Sequence, residues 1–530
     1  MAHESARGPT VQHERKGPPQ ARIVPKRDRA QGSPVSERRL SASTLPDLPS
    51  SVTKPAYDIA TARIGIVHLG LGAFHRAHQA VMTDAVLASD SRWGICGVSL
   101  KSKRVCDALV PQDGLYSVLE KSIDGTRARI VGSVREMLFL GTERDRLLAR
   151  IADPGVEIVS LTVTEKGYCH DPATGRLNFE HPEIIHDLAN PASPSSTIGV
   201  LTAGLAARRA AGGGEITVVC CDNLPHNGRT VEGIVRAYSE ALDPSLGQWI
   251  AANATFPCTM VDRIVPATTD ADIAEAAQLI GVADAAPVVA EPYIQWVIED
   301  RFAGARPRWE DAGAVLVADV APFETMKLRL LNGSHSALAY LGYLAGYDFI
   351  WQASSDAELA KLVEHLMTDE VIPTLEAPPN VELAAYGAQI RGRFRNPALP
   401  HRTQQVAMDG SQKLPQRFLD TVRERLASGK SIAHLALAIA GWIRYASGTD
   451  EAGRPIAVSD PLAPKFAAIA AGSGGNASQI ADGFLDLVEV FGADLTHDVA
   501  FRRAVSRDVG SLFRDGVRRT LAVHIAQHRS

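Results

Sequence analysis

Two hydrophobic patterns divide the chain. From about residue 55, short β-rich runs alternate with helical ones. Ile64 to Leu69 is the first run and ends at Gly70; Trp93 to Leu100, Val156 to Val163 and Glu215 to Cys220 are the next three. Between them, Glu143 to Ile151 and Ile198 to Ala211 carry apolar residues at helical spacing. This alternation predicts an α/β fold, a Rossmann-type doubly wound, mainly parallel sheet with helices on both faces. After about residue 320 the β signals fade. Ala- and Leu-rich stretches at 324–347, 355–369, 416–427, 431–446 and 478–491 predict a mostly α-helical C-terminal domain. The expected division is a basic tail over 1–45, a dinucleotide-binding domain over 46–318 and a helical substrate domain over 319–530.

Composition narrows the function classes. At 530 residues the chain exceeds one ordinary core. Hydrophobic residues at 45% and charged residues at 22% give the balance of a soluble globular protein. A net charge of −5 does not suit a chain built for nucleic acid or a membrane. No apolar run of about 18 residues occurs, and the first 30 residues lack the apolar segment of a signal peptide. Cys96, Cys106, Cys169, Cys220, Cys221 and Cys258 form no C-x-x-C pair, so a reduced, cytoplasmic setting is expected. Residues 1–45 hold nine Lys/Arg against four Asp/Glu and no hydrophobic period. That predicts a disordered tail, with a nucleic-acid or partner-binding arm as the alternative.

Two segments carry candidate chemistry. In the first, a strand from Ile64 runs into Gly70-Leu-Gly72 and then a helix, the arrangement that brings backbone N–H groups to a pyrophosphate. The third glycine of the usual fingerprint is missing, and the pattern also fits a plain tight βα turn. His75 and His78 are three apart, but no carboxylate or cysteine completes a metal set. After the second strand comes Lys101-Ser-Lys-Arg104, with no acid before Asp107, which as a ribose-reading loop tilts the site toward NADP. The second segment is KLRLLNGSHSALAYLGYLAGY, from Lys327. On an ideal helix Glu324, Lys327, Asn332 and His335 lie within an arc of about 140°, opposite Leu330, Leu341 and Leu344. A desolvated lysine as base, an amide donor for an alkoxide and a positioning imidazole suit the oxidation of a secondary alcohol. On spacing alone, Glu324–Lys327 also fits a surface pair and Asn332-Gly333 a turn.

GIVHLGLGAFHRAHQA, SLTVTEKGY, CDNLPHNG, MVDRIVPAT, EPYIQWVIED and KLRLLNGSHSALAYLG, taken together, resemble the mannitol dehydrogenase family of polyol-specific long-chain dehydrogenases. The likeness runs from about Leu40 to the C-terminus. It implies a Rossmann-type domain, a helical domain and a site in the cleft between them, with NAD or NADP as cofactor and no metal. It implies Lys327 as catalytic acid/base, in the pattern K-x-x-x-x-N-x-x-H. Asn332 and Asn223 are implied as oxyanion-stabilising amides, His335 as the group positioning substrate and Glu324 as the carboxylate passing the proton to solvent. Asp262 and Lys413 match substrate-contacting positions; Lys413 is shared with the mannitol enzymes, so Arg402, near Gln405, is the cation expected to discriminate a sugar acid. The expected cofactor contacts are Gly70, Gly72, Phe74, His75, Arg76, Lys103, Arg104 and Thr164.

Two departures bear on specificity. Family members that use NAD carry an acid where Lys103 and Arg104 align. The mannitol enzymes have an arginine at Gln405, whereas relatives acting on D-mannonate and D-fructuronate have a glutamine there. Their stretches around His401-Arg-Thr403, Ala407 to Arg417, Leu328-Arg329 and Glu165-Lys-Gly167 are also similar. Leu224-Pro-His226 and Ile294 resemble the mannitol enzymes instead. The expected partner is therefore an open-chain C6 sugar acid or polyol, mannonate/fructuronate slightly ahead of mannitol/fructose, with no nucleic acid or membrane. A non-catalytic dinucleotide-binding regulator is the alternative, and it leaves unexplained why the Lys-Asn-His set is intact. The oligomeric state is open, and a monomer fits.

Overall fold

The computed structural model describes residues 38–171 and 174–528. Six strands form one sheet: β1 Ile64–Leu69, β2 Gly94–Ser99, β3 Val134–Phe139, β4 Ile158–Leu161, β5 Ile216–Cys220 and β6 Ala254–Thr255. Their order is β3-β2-β1-β4-β5-β6, and every neighbouring pair is parallel. This is the strand order of a Rossmann domain, whose direction of winding reverses between β1 and β4. The strands β2, β4 and β5 are buried along their whole length. Sheets covered by helices on both faces require such unbroken apolar runs, which is why the sequence marks these strands clearly.

β3 was not anticipated. It is the edge strand, and Arg135, Glu136 and Met137 lie half-buried along it, so its apolar signal is diluted. Also beyond the expectation are two smaller sheets. The hairpin Tyr116–Ser122 and Gly125–Val131 pairs with Val288–Ala290, and Thr259–Asp262 lies with Gln295–Glu299 and Val315–Val317.

The tail expectation needs a correction at its end; its residues 1–37 lie outside the described residues. Residues 38–45 are packed on the body. Arg39 bridges to Ala283, and the Leu40 N–H donates to the Ala283 carbonyl at 2.8 Å. Leu40 is fully buried in a cluster with Ile130, Ile280 and Val289. One anchoring leucine makes no period, so the pattern along the chain could not show it.

In the helical part, residues 321–344 run as an α-helix (Ala321–Met326), a π-helical stretch (Lys327–Gly333) and a second α-helix (Ser334–Leu344). Helix Ala433–Ala446, buried on all sides, packs against this segment and against the C-terminal helix Val499–Gln527. That last helix and Leu383–Phe394 were both missed, because arginines interrupt their apolar faces. Among the described residues no helix is long and apolar enough to cross a membrane.

Candidate active site

The C-terminal ends of β4 and β5 meet the helical domain, through Lys166 with Asp409 and Asn223 with Lys327, and the end of β1 lies against that of β4. At the end of β1, Gly70 adopts φ +102°, and a Cβ there would sit 2.1 Å from the Thr162 carbonyl. Only glycine allows β1 and β4 to close at this point. Next to it, Gly72, where a Cβ would meet only the Gly70 carbonyl at 3.7 Å, stands at the start of helix Ala73–Ala77, where the first N–H groups have no partner within the helix. Free N–H groups beside a glycine that leaves room for an approaching group are what a dinucleotide pyrophosphate requires. Two of the expected contact residues turn their side chains inward. The His75 ring is fully buried and stacks flat on His68, with centroids 3.3 Å apart. His68 in turn bonds the Ser160 and Thr162 hydroxyls, each at 2.8 Å. The Arg76 guanidinium points inward, donating to the Ala286 carbonyl at 2.6 Å and lying over the Tyr116 ring. Both side chains build the floor of the turn. Phe74 is half-buried and stacks on His78. Lys103 and Arg104 are exposed beyond β2, and Lys103 lies 3.5 Å from Asp107.

At the end of β4, Thr164 has φ +68° and ψ 159°, a region otherwise left to glycine and costing about 1–3 kcal/mol. Asp222, at the end of β5, holds it there. Its carboxylate accepts the N–H groups of Val163 (2.8 Å) and Thr164 (3.1 Å) and the Tyr168 hydroxyl (2.6 Å). Burial raises its pKa to about 6 against these bonds. The sequence reading passed over Asp222 although it adjoins Asn223; only the fold reveals what it holds.

Across the cleft, the Lys327 amine donates to Asn223 Oδ1 at 2.6 Å. Lys327 is 5% exposed. Burial lowers its pKa to about 8, helped by Arg417 and Arg393 and opposed by Asp262. The π-helical stretch changes the expected facing. Its bonds close over five residues rather than four, so Lys327 and Asn332 come closer to one face than an ideal α-helix allows. Asn332 is buried and its Oδ1 has no hydrogen-bond partner among the described residues. Gly333 lets a second helical segment approach: a Cβ there would lie 3.1 Å from the Arg417 carbonyl. One turn on, His335 stacks on Phe394 and meets the His401 ring edge-on, both at 4.9 Å. Burial, then His401, holds its pKa well below the ordinary value. Glu324 accepts the His226 N–H at 2.9 Å, and burial raises its pKa. A cavity of about 10 Å³, lined in part by Asn223, Glu324 and Lys327, lies between these groups.

The expected substrate contacts divide. Asp262 is engaged already: Arg393 grips both its oxygens at 2.7 and 2.8 Å and also bonds Glu291 at 2.7 Å. This fork, which had no sequence signal, ties helix Leu383–Phe394 to the Rossmann part. Arg402 is exposed, its guanidinium over the Phe349 ring at 5.1 Å, and Gln405 is exposed beside it. Neither is among the groups that converge here; His401 is the residue of that segment that faces His335. Lys413 is half-buried and, among the described residues, makes one hydrogen bond, to the Val406 carbonyl at 3.4 Å. Burial and Arg417 lower its pKa to about 8. Arg417, which carried no assigned role, donates to Ser336 Oγ at 2.8 Å and the Asn332 carbonyl at 3.3 Å. Among the described residues neither cation has a carboxylate within 4 Å.

Comparison with known proteins matches residues 64–311 to the mannitol dehydrogenase Rossmann domain and residues 319–513 to the mannitol dehydrogenase C-terminal domain. D-mannonate oxidoreductase of Escherichia coli (strain K12) is 46% identical over 91% of this chain and 99% of its own length. Mannitol 2-dehydrogenase of Phaeosphaeria nodorum is 38% identical over 91% of this chain and 85% of its own. Among solved structures, Pseudomonas fluorescens mannitol 2-dehydrogenase, as a ternary complex with NAD and D-mannitol, superposes with a TM-score of 0.86 at 38% identity. That match covers 93% of this chain and all of the other.

Proposed function

The chain belongs to the mannitol dehydrogenase family of oxidoreductases, and on that footing we propose that it interconverts a secondary alcohol and a ketone on an open-chain C6 sugar acid, of the D-mannonate/D-fructuronate type. What supports the substrate class is Arg417, which lies beside Asn332 in the stretch that resembles the mannonate relatives, with Lys413, a lysine the mannitol enzymes share, next to it. Two half-buried cations with no carboxylate within 4 Å among the described residues repel each other and lose part of their hydration. A substrate carboxylate relieves both costs; a neutral polyol relieves neither. The second reading is mannitol and fructose, favoured by Leu224-Pro-His226 and Ile294.

A nicotinamide dinucleotide, when bound, accepts or supplies the hydride; Gly70, Gly72, Phe74 and Thr164 would hold it. The chain's residues manage the proton and the charge. Lys327, with its pKa brought close to neutrality, takes the hydroxyl proton in oxidation and returns it in reduction. The Asn223 and Asn332 amides stabilise the developing oxyanion, and His335 holds the neighbouring hydroxyl. The proton then reaches Glu324 through the small cavity, which is close to the room one water needs. Exposed Lys103 and Arg104, with no acid facing a 2′-phosphate, admit NADP(H) as well as NAD(H).

The test is the oxidation of NADH and NADPH at 340 nm with fructuronate and with fructose, in wild type and Arg417→Met. A charge-assisted bond of about 1.5–3 kcal/mol predicts a selective loss of about tenfold or more on fructuronate. Equal losses on both substrates, or a wild type that prefers fructose, would transfer the assignment to mannitol.

A further inference from the structure

Outside the cleft, imidazoles and a carboxylate converge where the 357–371 segment, helix Ala433–Ala446 and the end of helix Val499–Gln527 meet. His365 Nδ1 lies 2.9 Å from Asp369 Oδ2, and His434 Nε2 approaches the same oxygen at 3.9 Å. One ligand atom from each of the three lies within 4.8 Å of the others. We propose that His365, Asp369 and His434 form a binding site for a divalent transition metal, separate from the catalytic cleft, that ties the C-terminal helices together.

Small side-chain shifts, about half an ångström apart for one pair and together for the other, bring the donors to the spacing of a tetrahedral ion. With nitrogen and oxygen ligands about 2.0–2.2 Å from zinc, neighbouring ligand atoms stand about 3.3–3.6 Å apart, between the two separations observed. Two imidazoles with one carboxylate favour zinc or its neighbours over magnesium or calcium. The surroundings supply the outer contacts that such sites need. His434 Nδ1 lies 2.9 Å from His524 Nε2. Ligation through His434 Nε2 leaves the proton on Nδ1, where it donates to His524 and fixes the ring. His528 meets the His434 ring edge-on with centroids 5.3 Å apart and is itself held to the His524 carbonyl at 2.9 Å. The fourth position opens to solvent on the Asp369 side, where the carboxylate is 45% exposed beside a surface cavity of about 530 Å³.

A plain i,i+4 ion pair accounts for His365 and Asp369 but not for His434 Nε2 turning to the same oxygen. The other triad among the described residues, Cys169, His181 and Glu183, is less suited, since His181 Nδ1 already accepts the Glu183 N–H.

The experiment uses the full chain, freed of metal by chelation and then titrated with Zn²⁺ by calorimetry and with Co²⁺ by visible absorption. One ion per chain is expected, with tetrahedral Co²⁺ bands and a melting temperature that rises with zinc. His365→Gln and Asp369→Asn, both at partly exposed positions, should weaken binding by about tenfold or more and abolish the thermal shift. Their turnover without metal should equal that of wild type, which shows that they fold. Glu183→Gln should bind as wild type does. No binding of either ion, equal binding by the Asp369→Asn chain, or loss in Glu183→Gln instead would overturn the assignment.

Discussion

Replacing Lys327 by methionine separates the energetic cost of a buried amine from its chemistry. The amine is 5% exposed and its pKa falls from 10.5 to about 8, chiefly through burial. Below pH 8 the group is protonated in both the folded and the unfolded chain, and the folded state bears the whole penalty. Between pH 8 and 10.5 the unfolded chain binds the extra proton, so stability rises with pH. Above 10.5 both are neutral and the penalty is gone. At about 1.4 kcal/mol per pKa unit the whole effect is about 3 kcal/mol. Methionine has no such titration. Its own packing and the lost bond to Asn223 shift the variant by an amount that does not vary with pH, and Lys413 is common to both proteins. The melting midpoint of wild type should therefore climb relative to Lys327→Met as pH rises from 7 to 10. Over the same range, wild-type ketone reduction, which needs the protonated amine, should fall above about pH 8, and alcohol oxidation should rise. The variant should lose turnover by about 10²–10⁴-fold while still binding dinucleotide. Parallel midpoint curves, or a variant with wild-type turnover, would refute both the buried charge and its role.

Leu40→Ala removes a fully buried side chain and should cost about 2–5 kcal/mol, read as a lower melting temperature with turnover per folded molecule unchanged. Gly72→Ala should fold normally, because a Cβ there meets nothing nearer than 3.7 Å, yet lose NAD(P)H affinity in a fluorescence titration; unchanged affinity would mean that the turn does not cradle the phosphates. Asp222→Asn should release the strained Thr164 backbone and weaken dinucleotide binding by about tenfold, in line with about 1–3 kcal/mol of strain; wild-type binding would separate that strain from function. Lys103→Glu should shift the ratio of NADP(H) to NAD(H) efficiency toward NAD(H), and no shift would remove the loop after β2 from the ribose site.

How far the sequence reached depended on the range of each signal. Buried parallel strands and the apolar back of the 321–344 segment are local patterns, and both were legible. The edge strand β3, the hairpin Tyr116–Val131 and helix Val499–Gln527 were not, because exposed positions dilute their periods. The π-helical stretch has no period of its own, so the wheel drawn at the α-helical angle spread Lys327 and Asn332 too widely. Arg76 and His75 stand in the glycine motif as outward contacts would, but they pack beneath it.

The cations of the cleft show why partners matter more than residue type. Arg393 and Arg417 are both buried arginines on helical segments that face the Rossmann part. Arg393 meets two carboxylates, Asp262 and Glu291, which stand 131 and 102 residues away in the chain; those bonds raise its pKa despite burial. Arg417 meets a hydroxyl and a carbonyl, and burial lowers its pKa. The first is satisfied by the protein and fixes the junction of the domains. The second, with Lys413, is left to be satisfied by what enters. No pattern along the chain distinguishes the two, since the difference lies wholly in acids supplied from distant strands. The same reasoning ties the site to marginal stability. A cleft in which burial outweighs the nearby acids, so that the pKa values of Lys327, Lys413 and Arg417 all fall, is stabilised when an anionic ligand arrives, so binding of a sugar acid should raise the melting temperature more than binding of the corresponding polyol at equal saturation.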